Sequence, residues 1–171
     1  MKNYRKESDF LGERNIFNDT YYGINAVRGN ENFNINEERI DTLLIKTFAW
    51  TKKACLLANI ECKSINSEIS NALLDACEKI IGGDFDDQFI VNPIQGGGGT
   101  SFNMNFNEVI ANIALEQLGL NKGAYHIISP LTHVNMSQST NDVFPTSINL
   151  ALIIKINLLL DILHGLKATL H

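Results

Sequence analysis

The chain has 171 residues, 44% hydrophobic and 19% charged, which is typical of a soluble globular protein with one domain, or one domain and the start of another. Its net charge of −5 and the lack of a Lys/Arg run argue against a nucleic-acid surface. The charged start, Met1–Glu7, lacks the apolar core of a signal peptide, so we expect a cytoplasmic protein.

The first half of the chain predicts an irregular start followed by two helices. Residues 1 to 35 are polar with two short aromatic clusters, and we expect no regular element there. Asn36–Glu38 offers a cap followed by acids, so a helix is predicted from there, with apolar residues at helical spacing as far as Ala58. A second helix is predicted at Ser67–Ile81, because two glycines follow it.

The three cysteines do not predict a disulfide framework. Cys55 and Cys62 lie on one predicted helix, roughly 10 Å apart along its axis, which is too far for a disulfide bond. We therefore expect reduced thiols.

A glycine-rich turn precedes the third predicted helix. A loop leads to Gly96–Ser101, and the helix that follows ends at Leu118. Within it Asn103, Asn105 and Asn107 alternate, a pattern with poor helical propensity. We therefore expect the first turn of this helix to be held by its surroundings.

A polar turn precedes the last predicted helix. Ser137–Asp142 stands just before the most apolar segment of the chain, Val143–Leu170. Ser, Thr, Asn and Asp cap helix N-termini, and Pro145 suits a first helical turn. One cap is enough, so the remaining hydroxyls and amides make this helix start a natural place to hold an anion.

The last helix is apolar on nearly all sides between Leu150 and Leu160. A helix of this kind is buried all round or spans a membrane. Because Lys155, Asn157 and Asp161 fall in its middle, we favour a buried helix of a bundle over a membrane span. Nothing else in the sequence could surround it, which predicts that the chain is a fragment covered by other subunits or by missing sequence.

The two helix starts together predict a site for a small anion. The glycines before Thr100 allow a tight bend with exposed N–H groups, but no Lys follows them, as a nucleotide-phosphate loop requires. A flexible turn that needs only small residues is the structural alternative. Without a cation cluster nearby, a small carboxylate suits these sites better than a polyphosphate. His133 is more often a structural hydrogen-bonder than a catalyst, and neither metal-ligand spacing nor a triad is visible.

Several segments closely resemble the aspartate ammonia-lyase branch of the aspartase/fumarase superfamily. They are Arg5–Glu13, Tyr21–Asn25, Gln95–Asn112 and His133–Asp142. Class II fumarases, the nearest competitor, carry Ser at the position of Gly98 and usually at that of Thr140. They also have His-Pro-Asn-Asp where this chain has Ser129–Thr132, so all three differences favour the aspartase branch.

The resemblance implies a mainly α fold. Residues 1–140 would form the N-terminal helical domain of the aspartase/fumarase fold, and residues 141–171 the first long helix of its central helical bundle. It also implies reversible deamination of L-aspartate to fumarate and ammonium, without a metal or organic cofactor. The full-length protein would be a cytoplasmic homotetramer with sites built from three subunits, and neither nucleic acid nor membrane is expected as a partner.

Four residues match the family's substrate-binding positions. By this resemblance Thr100, Ser139 and Thr140 would hold the β-carboxylate, and Asn141 would contact the amino group, with Ser101 as a secondary candidate. The family's catalytic base is a Ser in a Gly-Ser-Ser-x-Met-Pro-x-Lys-x-Asn-Pro signature, which this sequence lacks. No catalytic base is assigned, and we expect the chain to be inactive alone.

Two alternatives stay open, a class II fumarase and a non-catalytic module that associates through its apolar helix. The presence of Thr100 and Ser139–Asn141 favours the enzyme, because a purely structural role would not require them. Arg28 is the one candidate for an activator site, although a surface salt bridge is the favoured interpretation.

Overall fold

The computed structural model describes residues 3–170, and helices dominate them. A β-hairpin precedes five α-helices joined by loops with short 3-10 and π turns. The strands are β1 (Tyr4–Asp9) and β2 (Gly12–Phe17), and the helices are α1 (Ile24–Asn32), α2 (Thr42–Glu61), α3 (Ser67–Gly82), α4 (Thr100–Gln117) and α5 (Thr140–Leu170). The predicted mainly α fold class is confirmed.

Helix α4 lies at the centre of the fold. Every residue from Asn105 to Leu115 is buried, and the helix packs against α1, α3 and α5. Phe89 stacks on Phe106 with ring centroids 4.1 Å apart, and Phe48 lies 4.5 Å from Phe106. Because burying one such ring contributes about 1.5–3 kcal/mol, this cluster holds α2 against α4.

The ends of α3 and α4 agree with the predictions. Asn66 Oδ1 accepts from the Glu68 amide at 2.7 Å to begin α3, and Gly83, at φ 94°, ends it. Helix α4 ends at Gln117, and Gly119 follows with φ 72°. Caps and glycine stops are local signals, which is why the sequence predicts these bounds well.

The predicted start of α2 at Asn36 is wrong. Asn36 Oδ1 accepts from the Glu38 amide at 3.1 Å, but this turn does not continue into a helix. Asp41 is the actual cap, and its Oδ1 accepts from the Leu43 and Leu44 amides at 3.0 and 3.4 Å. Both residue types favour caps, so capping preference alone does not choose between Asn36 and Asp41. Ile40, which lies between them, is buried.

The expectation of an irregular N-terminus is also wrong, since the hairpin and α1 lie there. Strands β1 and β2 pair antiparallel, with Tyr4 opposite Phe17. Each strand buries one residue, Glu7 in β1 and Ile16 in β2. Because the hairpin lies on the surface, its sequence lacks the alternation of apolar residues by which strands are recognised.

Helix α5 differs from its prediction at its N-terminal end, while its apolar C-terminal part is uncovered, as expected. Pro145 lies in its second turn rather than its first, and so leaves the Asn141 carbonyl without an intrahelical donor. Among residues 3–170, α5 is the one helix that is long and apolar enough to cross a membrane, judged by length and composition alone. The described chain does not surround it, and Leu152–Leu170 is largely exposed.

Candidate functional site

The glycine-rich turn lies at the N-terminus of α4, as predicted. Gly97, Gly98 and Gly99 all have positive φ, at 71°, 62° and 92°. A Cβ added at Gly99 would lie 2.5 Å from the Phe144 ring, so this position needs glycine for space as well as for conformation. Thr100 opens the helix, is exposed, and donates from Oγ1 to the Gly97 carbonyl at 2.7 Å.

The second polar turn caps α5. Ser139 Oγ accepts from the Asn141 amide at 3.2 Å, so Ser139 is the capping residue and its hydroxyl hydrogen is still available to donate. Ser139 and Asn141 are exposed, and Thr140 is half-buried. Ser137 has φ 59°, an uncommon conformation for Ser, which shapes the chain just before the cap.

The two turns lie against each other within one chain. A Cβ at Gly98 would lie 3.9 Å from Asn141 Oδ1, and Asn103 Nδ2 donates to Thr140 Oγ1 at 3.0 Å. The Phe144 ring fills the space beside Gly99. The N-termini of α4 and α5 therefore open onto a shared surface, as the prediction of one small-anion site requires.

A buried lysine lies beneath the α5 turn. Lys52 on α2 is 2% exposed, and its Nζ lies 2.9 Å from both Asn135 Oδ1 and Gln138 Oε1. Burial lowers the pKa of Lys52 to about 7. A basic group that can be charged or neutral near pH 7 thus lies just beneath the site, which the search for exposed Lys/Arg clusters missed.

The sequence contained a signal for Lys52. Phe48 and Leu56 lie four residues before and after it, and both are buried. A lysine on the apolar stripe of a helix is expected either to extend its ammonium to solvent or to bind internal acceptors. The acceptors come from residues more than 80 positions away, so their identity was not visible in the sequence.

The alternating asparagines of α4 face two different partners. Asn103 and Asn107 direct their amides to Asn135 Oδ1, at 3.1 and 3.3 Å. Asn105 binds the Ile90 amide and the Gln88 carbonyl, at 2.9 and 3.0 Å. Their poor propensity is thus offset by tertiary hydrogen bonds, as expected for this first turn.

His133 and Arg28 have structural contacts. His133 Nδ1 accepts from the Ser129 amide at 2.9 Å, in agreement with a hydrogen-bonding role. Arg28 binds both oxygens of Asp9, at 2.7 and 2.9 Å, and lowers the pKa of that carboxyl. This salt bridge ties α1 to the hairpin, as the favoured interpretation of Arg28 holds. Ser101, the secondary candidate, is half-buried against Gly29.

The donors at this surface suit a small carboxylate. Hydroxyls, an amide side chain and helix N-termini offer hydrogen bonds, each worth roughly 1.5–3 kcal/mol when the acceptor is charged. Among residues 3–170 no group of three His, Cys, Asp or Glu side chains is arranged to hold a metal ion.

Comparison with known proteins gives family, sequence and structural matches. The sequence model of the family described as Lyase matches residues 12–171. The aspartate ammonia-lyase of Bacillus subtilis (strain 168) is 54% identical over 88% of this chain and 32% of its own length. That of Escherichia coli (strain K12) is 41% identical over 96% of this chain and 35% of its own.

Two solved structures of similar proteins match the fold of this chain. The fumarate lyase:delta crystallin of Brucella melitensis, in its cobalt-bound form, superposes with a TM-score of 0.94 and 45% identity, over 97% of this chain and 36% of that one. The class II fumarase of Schistosoma mansoni gives 0.81 and 32% identity, over 87% of this chain and 32% of that one. The chain spans about a third of the length of all four proteins.

Proposed function

Because this chain belongs to the Lyase family, we propose that the full-length protein is an aspartate ammonia-lyase, which reversibly deaminates L-aspartate to fumarate and ammonium. The observation that carries the proposal is the contact between the glycine turn and the Ser139–Asn141 turn, with Gly98 beside Asn141. Two aspartate ammonia-lyases are 54% and 41% identical to the chain, against 32% for the class II fumarase, which favours aspartate over malate as substrate.

The chemistry needs strong stabilisation of negative charge. A base removes a proton from the carbon beside the β-carboxylate, which becomes a doubly charged aci-carboxylate before ammonia leaves. Thr100, Ser139 and Thr140 would hold that carboxylate, and Asn141 would contact the amino group. In comparable oxyanion holes, loss of one donor costs roughly 2.7–4 kcal/mol. The Thr100 hydroxyl must turn from the Gly97 carbonyl in order to donate to substrate.

The apolar helix supports an oligomer as part of the proposal. Most of its leucine and isoleucine side chains from Leu152 onward are exposed, and an exposed apolar surface of this kind marks an interface. In the full-length protein, residues 1–140 would form the N-terminal domain and residues 141–171 would begin a central helical bundle. The enzyme would be a cytoplasmic homotetramer of amino-acid metabolism.

The test is an assay of the full-length protein with L-aspartate, following fumarate by its ultraviolet absorbance. We expect fumarate to form, and the reverse reaction to require ammonium. Hydration of fumarate to malate without ammonium would instead identify a fumarase. A protein that binds and converts none of these compounds would support the non-catalytic association module.

The 171-residue chain alone should have no lyase activity. The family's base-bearing signature is absent from its sequence, so no residue in it is assigned to remove the proton. Fumarate formation by the purified chain, at a rate proportional to its concentration, would contradict this. Full-length protein assayed in parallel serves as the positive control.

A further inference from the structure

A network of buried polar groups lies beneath Thr140. Asn103, Asn107 and Lys52 all donate to the single oxygen Asn135 Oδ1, at 3.1, 3.3 and 2.9 Å. None of the three donors is more than 2% exposed. Burying polar groups is costly unless they are paired, so a network this far from solvent is expected to have a structural or functional role.

Lys52 determines the direction of the whole network. Its Nζ donates to Asn135 Oδ1 and to Gln138 Oε1, two bonds that either the ammonium or the neutral amine can supply, so Asn135 presents its amide oxygen rather than its NH₂ group to Nζ. That oxygen in turn requires Asn103 to present its own NH₂ group. A reversed Asn103 amide would instead place its oxygen against Asn135 Oδ1, to which Lys52 Nζ already donates.

Asn103 carries this hydrogen-bond direction to the candidate site. Its Nδ2 also donates to Thr140 Oγ1 at 3.0 Å, which occupies one lone pair of that hydroxyl. Thr140 is the first residue of α5, so no preceding turn of its own helix accepts the hydroxyl hydrogen. The hydrogen of Thr140 is therefore free to donate away from α4.

We propose that Asn103 is a positioning residue that orients the Thr140 hydroxyl so that it donates to the substrate carboxylate, with Lys52 and Asn135 fixing the direction of the Asn103 amide. This inference rests on the proposed function and assigns a second layer of residues to the same site. The network keeps this direction even though Asn103 Oδ1 and Asn107 Oδ1 are buried without a partner among the described residues.

Reversing the contact tests the orientation. In full-length protein, Asn103→Asp replaces the donor by a carboxylate, which accepts the Thr140 hydrogen and turns it away from substrate. The new carboxylate favours the charged form of Lys52, which offsets part of the added charge. Because the carboxylate also faces Asn135 Oδ1, the melting temperature of this variant is measured alongside binding. Because a hydrogen bond to a charged ligand is lost, we expect the dissociation constant for fumarate to rise roughly 10-fold to 100-fold, and kcat/KM for L-aspartate to fall in parallel.

A double-mutant cycle separates orientation from fold stability. Asn103→Ala should weaken fumarate binding by roughly 10-fold with Thr140 present, and by less than about twofold in a Thr140→Val background, where no hydroxyl is left to orient. Lys52→Met, which leaves α4 unchanged, should show the same dependence on Thr140 if the Asn103 variants do not fold. Equal losses in both backgrounds would overturn the inference.

Asn105 provides the matched control, being buried on the same helix but bonded to Gln88 and Ile90. Asn105→Ala should lower the melting temperature and leave fumarate binding unchanged. Lyase activity in the wild type without coupling between Asn103 and Thr140 overturns only the positioning role. Fumarate binding with coupling but without deamination overturns only the proposed function, and a wild type that binds no fumarate overturns both.

Discussion

Lys52 lies on the face of α2 where its neighbours, Phe48 and Leu56, are apolar and buried. The ring of Phe48 lies 5.6 Å from its ammonium, and the amide oxygens of Asn135 and Gln138 complete its surroundings. Burial opposes the charge, while these acceptors favour it. Burying a basic group lowers the stability of the fold. This cost is consistent with a functional role for Lys52 beneath the candidate site.

We expect Lys52→Met to remove a pH-dependent part of the stability. Burial lowers the pKa of Lys52 from 10.5 to about 7. Between these values the unfolded chain binds a proton that the folded chain has released, so the free energy of unfolding rises with pH, by up to about 1.4 kcal/mol per unit. Below this window the residue contributes no slope. Denaturant unfolding of both proteins across the window measures the difference.

The thiols beside Lys52 limit the clean part of this measurement to pH values below their ordinary pKa of 9.0. Above that pH the unfolded chain releases thiol protons that the folded chain keeps, so the thiol slope opposes that of Lys52. Cys55 and Cys77 are the titratable groups that act on it, and burial raises the pKa of both thiols, that of Cys77 to about 12. Lys53, paired with Glu78 at the surface, is the matched control. Lys53→Met should keep the wild-type slope, and a wild-type slope in Lys52→Met would contradict the prediction.

Substitution should destabilise the protein more at Gly99 than at Gly98. Gly99→Ala combines left-handed strain with a contact of 2.5 Å to the Phe144 ring, and should destabilise the protein by about 3 kcal/mol or more. Gly98→Ala meets nothing closer than 3.9 Å and should cost only about 1–2 kcal/mol. Chemical denaturation of the two variants tests this, and equal losses would show that Phe144 moves aside.

At the scale of elements, α1 is capped from outside itself. Gly23 supplies no side-chain cap, and the carboxylate of Glu108 on α4 takes this role. One of its oxygens accepts from the Gly23 and Ala26 amides at 2.9 and 3.0 Å, and the other from Asn25 N and Nδ2 at 2.8 and 2.9 Å. Burial raises the pKa of Glu108 to about 7, while the four donors favour its ionised form.

Glu108→Gln should therefore loosen α1. An amide NH₂ in place of one oxygen faces two N–H groups, and each unpaired buried donor costs about 1–3 kcal/mol. We expect lower unfolding free energy and faster hydrogen exchange in α1, measured at a pH above 7, where Glu108 is ionised. Glu37→Gln, in the exposed loop before α2, should change neither. Unaltered exchange in Glu108→Gln would contradict the capping role.

The hairpin depends on a similar long-range contact. Glu7 accepts from the Ile24 amide at 2.8 Å and from Arg5 Nε at 2.7 Å. Arg5 also donates to the carbonyls of Thr20 and Tyr22, each within 2.9 Å. Charged side chains thus anchor this element to α1, so its sequence resembles that of a polar loop.

At the scale of the whole molecule, α5 joins two environments. Its first part packs on α2 through small and hydroxyl side chains, with Thr47 Oγ1 donating to the Ser147 carbonyl and Ser147 Oγ to Thr51 Oγ1, both at 2.9 Å. From Leu152 onward its leucines and isoleucines are exposed, except for the half-buried Ile154. The same helix therefore contributes its N-terminal turn to the candidate site and exposes an apolar surface along its C-terminal part.

The sequence by itself determined the family, the mainly α class, the bounds of α3 and α4, and the polar turns that begin α4 and α5. These features follow from caps, glycine stops and contiguous motifs, which act over a few residues. The four proposed substrate contacts, Thr100, Ser139, Thr140 and Asn141, came from such motifs and stay predictions.

Only the tertiary structure decided which side chains meet. The hairpin, the true start of α2, the cap on α1 and the lysine under the site all depend on partners far along the chain. Lys52 and Asn135 are separated by 83 positions, as are Asn25 and Glu108. No local pattern encodes such pairs, because their energy comes from desolvated hydrogen bonds that exist only once the helices have packed.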